Sequence, residues 1–509
     1  MNPLFRFSLP ALAAVALLGC AQPMQEPRLL FGGEMHNSNA STPESIDASL
    51  DLTVALGYNA VLAPVCWEQL EPEQGRFDFT LTDYLVRAAG KRGLRLGLLW
   101  FGSWKNGESS YPPLWVKGDT KTYFRAESED GAPMTTISPF CAAACEADSR
   151  AFAELMRHLR ETDKRKVVCT VQVENECGVF LPRDCCPAAR KAWEEGKWAE
   201  RPSENGTPAE QVFMAEACAR FVDAVAAAGK AEYDLPLFTN AWLMPEDAAY
   251  GSYPNGGPRE AVLDVWKRCA PHLDWLSPDI YASDFAAMCA AYGEGQPLFI
   301  PETSREPGRY YYAFGEAGAQ GVFCFGYEED HDNPYFVQEC RTLGEVVPLL
   351  EQDRPVHGFF RQSGKDALDA EFRLDFGDCV FRVHCIEGEQ YAHGLAVRTG
   401  EDEFLVAGLG AWIDWERPDG RQCKLAWCEE IRDGAVWQVL NGDETGHGNM
   451  LYLRGRLWQQ DETAPDGTPV PAARYGLSHQ RRFLALAHNR FKTTGIYRIR
   501  LYSYPAHED

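Results

Sequence analysis

Val167-Val168-Cys169-Thr170-Val171-Gln172-Val173-Glu174-Asn175-Glu176-Cys177-Gly178 is a run of β-branched and apolar residues that stops abruptly at two carboxylates. Such a short, valine-rich stretch reads as a strand buried on both faces. Seven more runs of the same texture flank it: Leu29 to Glu34, Tyr58 to Val65, Leu94 to Phe101, Pro236 to Trp242, Leu273 to Tyr281, Pro297 to Glu302 and Gly321 to Tyr327. Helical patterns separate them, so the chain reads as repeated βα units around a parallel sheet. Eight units in roughly 320 residues fit a (β/α)8 TIM barrel, placed at 28–354. The structural rival, an open doubly wound sheet, usually carries a glycine-rich phosphate turn, and no G-x-G-x-x-G follows any of these strands.

Beyond Arg354 the texture changes to alternating segments: Glu371 to Phe376, Cys379 to His384, Glu403 to Ala407, Gly434 to Leu440 and Gly495 to Tyr502. Turn residues such as Gly377-Asp378 and Pro418-Asp419-Gly420 divide them, so an antiparallel β-sandwich domain is expected at 355–509. The whole chain has 509 residues, 45% hydrophobic and 24% charged, a globular composition that fits neither disorder nor a multi-span membrane protein. Its 49 basic and 74 acidic residues give a net charge of -25, which repels a phosphate backbone and argues against nucleic-acid partners.

The start of the chain, Met1 with Arg6, the apolar run Leu9 to Leu18 and then Gly19-Cys20, reads as a secretory signal over 1–20, too short to span a bilayer permanently. Leu17-Leu18-Gly19-Cys20 resembles the bacterial lipoprotein box, which implies acylation of Cys20, a tether over 21–27, and a periplasmic or outer-membrane lipoprotein whose only membrane contact is that anchor. Sixteen further cysteines follow. Those in strand-like runs, Cys66, Cys169, Cys177 and Cys324, behave as small hydrophobes. A bridge between Cys141 and Cys145, or one from the vicinal Cys185-Cys186, is the disulfide expectation, and no spacing suits structural zinc.

In a barrel the active site is built at the C-terminal strand ends. Strand four runs into Glu174-Asn175-Glu176 and strand seven ends Ile300-Pro301-Glu302. Paired carboxylates across a cleft suit glycosidic-bond cleavage, one protonating the leaving oxygen while the other attacks the anomeric carbon. Either glutamate alone reads more simply as a salt-bridge partner in a polar barrel mouth; the joint placement favours chemistry.

Val171 to Gly178 resembles the Q-V-E-N-E-Y-G segment of family 35 β-galactosidases, with Cys177 where an aromatic is usual. Trp67-Glu68, Glu71-Pro72, Gly75 and Phe77-Asp78-Phe79 are similar to a stretch shared by families 35 and 42. The resemblance covers about residues 28 to 350, with a C-terminal domain of unknown function beyond. It implies Glu176 as acid/base, Glu302 as nucleophile, Asn175 against the sugar 2-hydroxyl, Tyr281 bonding the nucleophile, and no cofactor or metal. The family's aromatic and arginine after the strand-one histidine are absent, since the chain reads His36-Asn37-Ser38-Asn39, and Pro64, Glu68 and Leu70 replace expected sugar contacts. Reaction class is therefore better carried than the sugar.

Further substrate-contact candidates are Asn240 and Trp242 after strand five, Trp100 and Trp104 around the Gly102 to Pro113 loop, Trp67, His36 and Asn37 after strand one, and Glu174, which a regular strand would point to the same side as Glu176. Each has a packing alternative. Asp279 reads as a polar core partner inside strand six. The function expected is a retaining exo-glycosidase acting on terminal β-galactosides of an oligosaccharide or glycoconjugate. A β-glycosidase for another sugar, an endo-acting glycanase and a non-catalytic glycan-binding lipoprotein are the alternatives.

Overall fold

The computed structural model describes residue 24 and residues 28–200, 207–243, 248, 251–281, 284–350, 353–362, 366–367, 369–386, 391–432, 434–454 and 495–505. The signal segment with Cys20 and all of the tether except Met24 lie outside the described residues.

Eight parallel strands form the first domain: β1 (Leu30–Glu34), β2 (Ala60–Cys66), β3 (Arg95–Lys105), β4 (Val168–Asn175), β5 (Leu237–Trp242), β6 (Trp275–Ile280), β7 and β8 (Gly321–Phe325). β7 comes in two pieces, Phe299–Ile300 and Glu302–Thr303, because Pro301 between them offers no N–H to a ladder. The first piece pairs with β8 and the second with β6, while β8 pairs with β1 from Leu30↔Gly321 to Glu34↔Phe325, so the ring closes as a barrel. Every residue of β2 and β3 is buried, which is why these strands appear in sequence as unbroken apolar runs. Ala60, Leu62, Leu99, Phe101, Phe238, Phe299 and Phe323 pack together as one cluster drawn from five strands.

A helix follows each strand: α1 (Pro43–Ala55), α2 (Thr80–Lys91), α3 (Ala142–Thr162), α4 (Ala209–Glu232), α5 (Leu263–Cys269), α6 (Phe285–Gly293), α7 (Pro307–Gly315) and α8 (Pro334–Leu350). Local chemistry sets their limits. At α1, Thr42 and Ser45 form a reciprocal capping box and Pro43 takes the first turn, where its missing N–H costs nothing. In α3, Ala144, Ala147, Asp148, Ala151, Phe152, Leu155 and Leu159 recur at three- and four-residue intervals and form the buried face.

The second domain has β9 (Val356–Phe360), β10 (Glu371–Asp375), β11 (Val380–Cys385), β12 (His393–Gly400), β13 (Glu403–Glu416), β14 (Gln422–Arg432), β15 (Ala435–Leu440), β16 (Leu451–Arg454) and β17 (Ile496–Tyr504). The expected sandwich is one continuous antiparallel sheet folded on a shared strand. The first half of β13 pairs with β12 and β17, its second half with β11 and β16. The change of partner falls at Gly408-Leu409-Gly410. Gly410 has φ +72°, and a side chain there would meet the Tyr391 carbonyl oxygen at 1.8 Å. Both wings feed one core, in which Phe359, Leu374, Phe381, Phe404, Ile413, Trp415, Leu453 and Ile499 pack together. This domain seats on α7 and α8: the buried His393 imidazole lies 3.0 Å from Glu339 of α8, and Phe360 packs on Phe285 and Tyr312.

The 16 cysteines of the described residues are all free thiols, which corrects the disulfide expectation. The Cys141 Sγ points at the Thr122 carbonyl and the Cys145 Sγ at that of Phe221, while Cys186 caps the helix Pro187–Glu195 with its sulfur.

Candidate active site

Six strand ends supply the polar groups of the barrel mouth. Glu34 closes β1, Lys105 ends β3, Asn175 ends β4 with Glu176 just beyond, Asn240 lies near the end of β5, Asp279 near the end of β6, and Glu302 opens the second piece of β7. Glu34, Lys105, Glu176, Asp279 and Glu302 are all buried. The end of β4 is not regular: Glu174 has φ +62° and Glu176 φ +45°, in the left-handed region that non-glycine residues seldom occupy. This breaks the alternation that would have put Glu174 and Glu176 on one side, and the two carboxyls serve different surroundings.

Glu174 accepts hydrogen bonds from the backbone N–H of Ser103 at 3.0 Å and of Trp104 at 2.7 Å. Asp148 of α3 accepts from Trp100 Nε1 and from the Ser103 amide and hydroxyl, and it shares a hydrogen bond with Glu174. Burial foremost, with Asp148 next, raises the Glu174 carboxyl well above its usual range, so the two acids hold a proton between them. Gly102 makes room, since a Cβ there would meet Trp100 Nε1 at 2.4 Å and Glu174 Oε1 at 2.5 Å. This polar shelf fixes the extension of β3, which passes the Gly102-Ser103 pair instead of ending at Phe101 and carries Lys105 to the site.

Glu302 is held by three side chains. The Tyr281 hydroxyl donates to its Oε2 at 2.6 Å, Asn175 Nδ2 donates to Oε1 at 3.3 Å, and Lys105 Nζ stands 3.9 Å from Oε1. Desolvation opposes charge on Lys105, but the carboxyls of Glu302, Glu34, Glu176 and Asp279 outweigh it and raise the ammonium above its ordinary value. Lys105 also lies over the Phe101 ring at 4.7 Å. Across from Glu302, burial and then the charge of Glu302 push Glu176 up to about 8, while Lys105 and a hydrogen bond with Asp279 work in the other direction. Single carboxylate oxygens of Glu176, Asp279 and Glu302 lie within 4.8 Å of one another. Asn240 ties two of these residues together, its Oδ1 accepting from the Glu176 amide at 2.9 Å and its Nδ2 donating to Asp279 Oδ2 at 2.7 Å. Burial, then Glu302, raises both Asp279 and Glu34 well above the usual carboxylate range.

The mouth therefore holds an acid kept protonated near neutrality beside a carboxylate with two hydrogen-bond donors and a cation. This is the division of labour that general acid and nucleophile require. A divalent cation would have to sit among Glu176, Asp279 and Glu302, but the Lys105 ammonium already supplies positive charge there and two of the three acids are driven toward their neutral form, so the residues fit a metal centre poorly.

Tyr281, Asn175, Glu176 and Glu302 are brought together; several other candidates are not. Trp67, Trp100 and Trp104 are fully buried with each indole N–H used internally, to Glu71, Asp148 and the Ile137 carbonyl, so they pack beneath the mouth instead of lining it. Glu71 also accepts the Gly75 amide, so the Trp67 to Gly75 motif is a structural turn. Asn240 and Glu174 hold neighbours in place. Trp242 is half-buried with its ring edge-on to Phe180. His36 is exposed and rests near the Phe325 ring, while Asn37 presents a buried Oδ1 with no hydrogen-bond partner among the described residues. Glu34 and Lys105 were not singled out from sequence, and Asp279 was read there only as a polar core partner. Glu34 had a legible signal, since it ends an apolar run in the manner of Glu302.

Known proteins resemble parts of this chain. Residues 24–226 match the model of glycosyl hydrolases family 35. The family 35 match contains β1 to β4, Lys105, and the Trp67 to Phe79 and Val171 to Gly178 segments from which the resemblance is read, and it bears that resemblance out; Asp279, Tyr281 and Glu302 lie beyond it. Residues 341–451 match a domain of unknown function, DUF5597. β-Galactosidase BbgII of Bifidobacterium bifidum is 26% identical over 189 residues, 35% of this chain, which spans a quarter (25%) of that protein's length. Among solved structures, the cold-adapted β-galactosidase from Rahnella sp. R3 aligns with TM-score 0.47 and 16% identity, over 65% of this chain and 58% of its own. The β-galactosidase from Bacillus circulans sp. alkalophilus aligns with TM-score 0.47 and 16% identity, over 64% and 57%.

Proposed function

We propose that this protein is a glycoside hydrolase, and specifically a retaining exo-acting β-galactosidase in which Glu302 is the nucleophile and Glu176 the acid/base. The observation that carries the reading is the pairing of these two carboxyls. Their oxygens approach within 4.8 Å, on the short side of the about 5–5.5 Å typical of retaining enzymes and well under the about 6.5–9.5 Å that leaves room for an inverting water.

In the first step Glu302 attacks the anomeric carbon and the bond to the leaving oxygen breaks as Glu176 delivers its proton to that oxygen. In the second, Glu176, now a carboxylate, takes a proton from water, the water oxygen bonds to the anomeric carbon, and Glu302 departs. Lys105 and Tyr281 hold Glu302 ready for attack. Asn175, donating to Glu302 and with its Oδ1 unpartnered among the described residues, is placed to meet the sugar 2-hydroxyl. No cofactor is required by this chemistry.

The test is initial-rate hydrolysis of a panel of nitrophenyl glycosides by the protein lacking residues 1–20, beside Glu302→Ala and Glu176→Ala. Turnover of the β-galactoside alone, lost in Glu302→Ala and sharply lowered in Glu176→Ala, supports the sugar and both glutamates. Turnover of a different β-glycoside keeps the mechanism and changes the sugar, and silence throughout overturns the exo-glycosidase. Export as a Cys20-acylated lipoprotein is part of the proposal and rests on the Leu17-Leu18-Gly19-Cys20 sequence. Mass spectrometry of the mature N-terminus tests it, and an unmodified Cys20 would overturn it.

A further inference from the structure

We propose that Asp279 is a positioning residue for the acid/base, a neutral carboxylic acid that donates a hydrogen bond to Glu176 and steadies its carboxylate once the proton has gone to the leaving group. The proposal rests on the functional reading above and adds a residue to it.

Asp279 is fully buried, and its two oxygens have different fates. Oδ2 accepts the Asn240 amide at 2.7 Å, while Oδ1 finds no donor among the described residues. Glu176 and Asp279 are nonetheless in hydrogen-bond contact. Two carboxylates cannot make that contact, because each would offer only lone pairs and like charge; one of them carries a proton. Burial and like charge settle which one: Asp279 is fully enclosed and the carboxyls of Glu302, Glu176 and Glu34 press on it, while Asn240 holds the Glu176 backbone and Asp279 Oδ2 at once and keeps the two acids together. Glu176 keeps slight solvent exposure, at 5%, and is the member of the pair that a substrate can reach.

The other groups that bear on Asp279 are the Glu34 carboxyl from β1, the Lys105 ammonium from β3, Glu302 from β7, and the phenols of Tyr281 and Tyr292. The acids among them press Asp279 toward its protonated form, as does burial. During glycosylation the Glu176 proton passes to the departing oxygen; Asp279 keeps its own proton throughout and gives only a hydrogen bond. That bond stabilises the carboxylate of Glu176 over its acid and makes it the better proton donor.

The experiment compares Asp279→Asn, which retains an N–H donor for Glu176 and a carbonyl for Asn240, with Asp279→Ala, which retains neither. Wild type and both variants are assayed on aryl β-galactosides of good and poor leaving groups across pH, after circular dichroism confirms the fold. Asp279→Ala should lose about 10- to 100-fold in kcat/KM on poor leaving groups, less on good ones, with its alkaline limb moved up. Asp279→Asn should keep the limb in place, with a smaller loss. An unmoved limb in both variants, with equal losses on all leaving groups, means a structural role and overturns the proposal. A limb that falls in Asp279→Asn means that Asp279 is ionised, and overturns it too. Infrared difference spectroscopy reads the protonated carboxyl directly: a carboxylic-acid band lost in Asp279→Asn supports the proposal and its absence from wild type sinks it, even if every glycoside proves inert and the glycosidase reading itself has failed.

Discussion

Replacing Lys105 with methionine keeps most of the apolar stem over Phe101 and removes one positive charge from a mouth containing four carboxyl groups. At 3.9 Å from Glu302 Oε1, and with an effective permittivity of about 20, the lost attraction is about 4 kcal/mol. Water entering the gap and the remaining bonds from Tyr281 and Asn175 reduce this, so about 2–4 kcal/mol of support for the attacking anion is at stake. The expected fall in kcat/KM is about 30- to 1,000-fold. The sign of the pH response follows from the same charge. Without Lys105 the anionic form of the nucleophile is less favoured, so the variant should regain part of its rate as pH rises, until the alkaline limb set by Glu176 cuts in. The assay is kcat/KM on a nitrophenyl β-galactoside from pH 5 to 9, with thermal unfolding as a control. A folded Lys105→Met variant within threefold of wild type across that range would refute the electrostatic reasoning.

Glu176 must hold its proton to act as acid, so kcat/KM should decline above about pH 8 and the decline should vanish in Glu176→Ala, whose residual rate on a good leaving group rises with added azide. Tyr281→Phe removes a 2.6 Å bond to Glu302 and should lower kcat by about 10- to 100-fold with little change in KM; an unchanged kcat would deny Tyr281 its role. Glu174→Ala leaves the buried Trp104 amide without its acceptor and the Ser103 amide with Asp148 alone, and should destabilise the fold by about 1–3 kcal/mol, seen as a lower urea midpoint, whereas Glu174→Gln should lose less. His393→Ala breaks the buried hydrogen bond with Glu339 between the two domains and should cost about 1–3 kcal/mol; a domain seat of no energetic weight would show no shift in unfolding midpoint.

The barrel was legible because parallel strands covered on both faces leave an unbroken apolar trace, and eight such traces spaced by helices admit few architectures. β7 is the informative exception: the apolar run Pro297 to Glu302 is visible, but the interruption that hands its two pieces to different neighbours comes from a single proline. Lys105 was hidden because Gly102-Ser103 reads as the start of a loop, whereas Glu174 and Asp148 bind the amides there and carry the strand onward. Asp279 was hidden by the same local logic. One position before a strand end it looks like core, and only the contact with Glu176, 103 positions away in sequence, gives it chemistry. In the second domain, β12 and β14 were not read as strands, since Gly394, Gly400, Lys424, Glu429 and Glu430 interrupt any clean alternation. Trp67, Trp100 and Trp104 failed as sugar platforms for a simpler reason. Each of the three occupies a buried site with its N–H satisfied, the commonest use of a large aromatic residue.

The central claim is that Glu302 attacks the anomeric carbon. Incubation with an activated 2-deoxy-2-fluoro-β-galactoside, whose fluorine slows both steps while the good leaving group lets the first proceed, should trap the sugar on the protein, and peptide mass spectrometry should find it as an ester on Glu302, absent in Glu302→Ala. A substrate-active enzyme that forms no adduct, or carries it on a residue other than Glu302, would contradict the account.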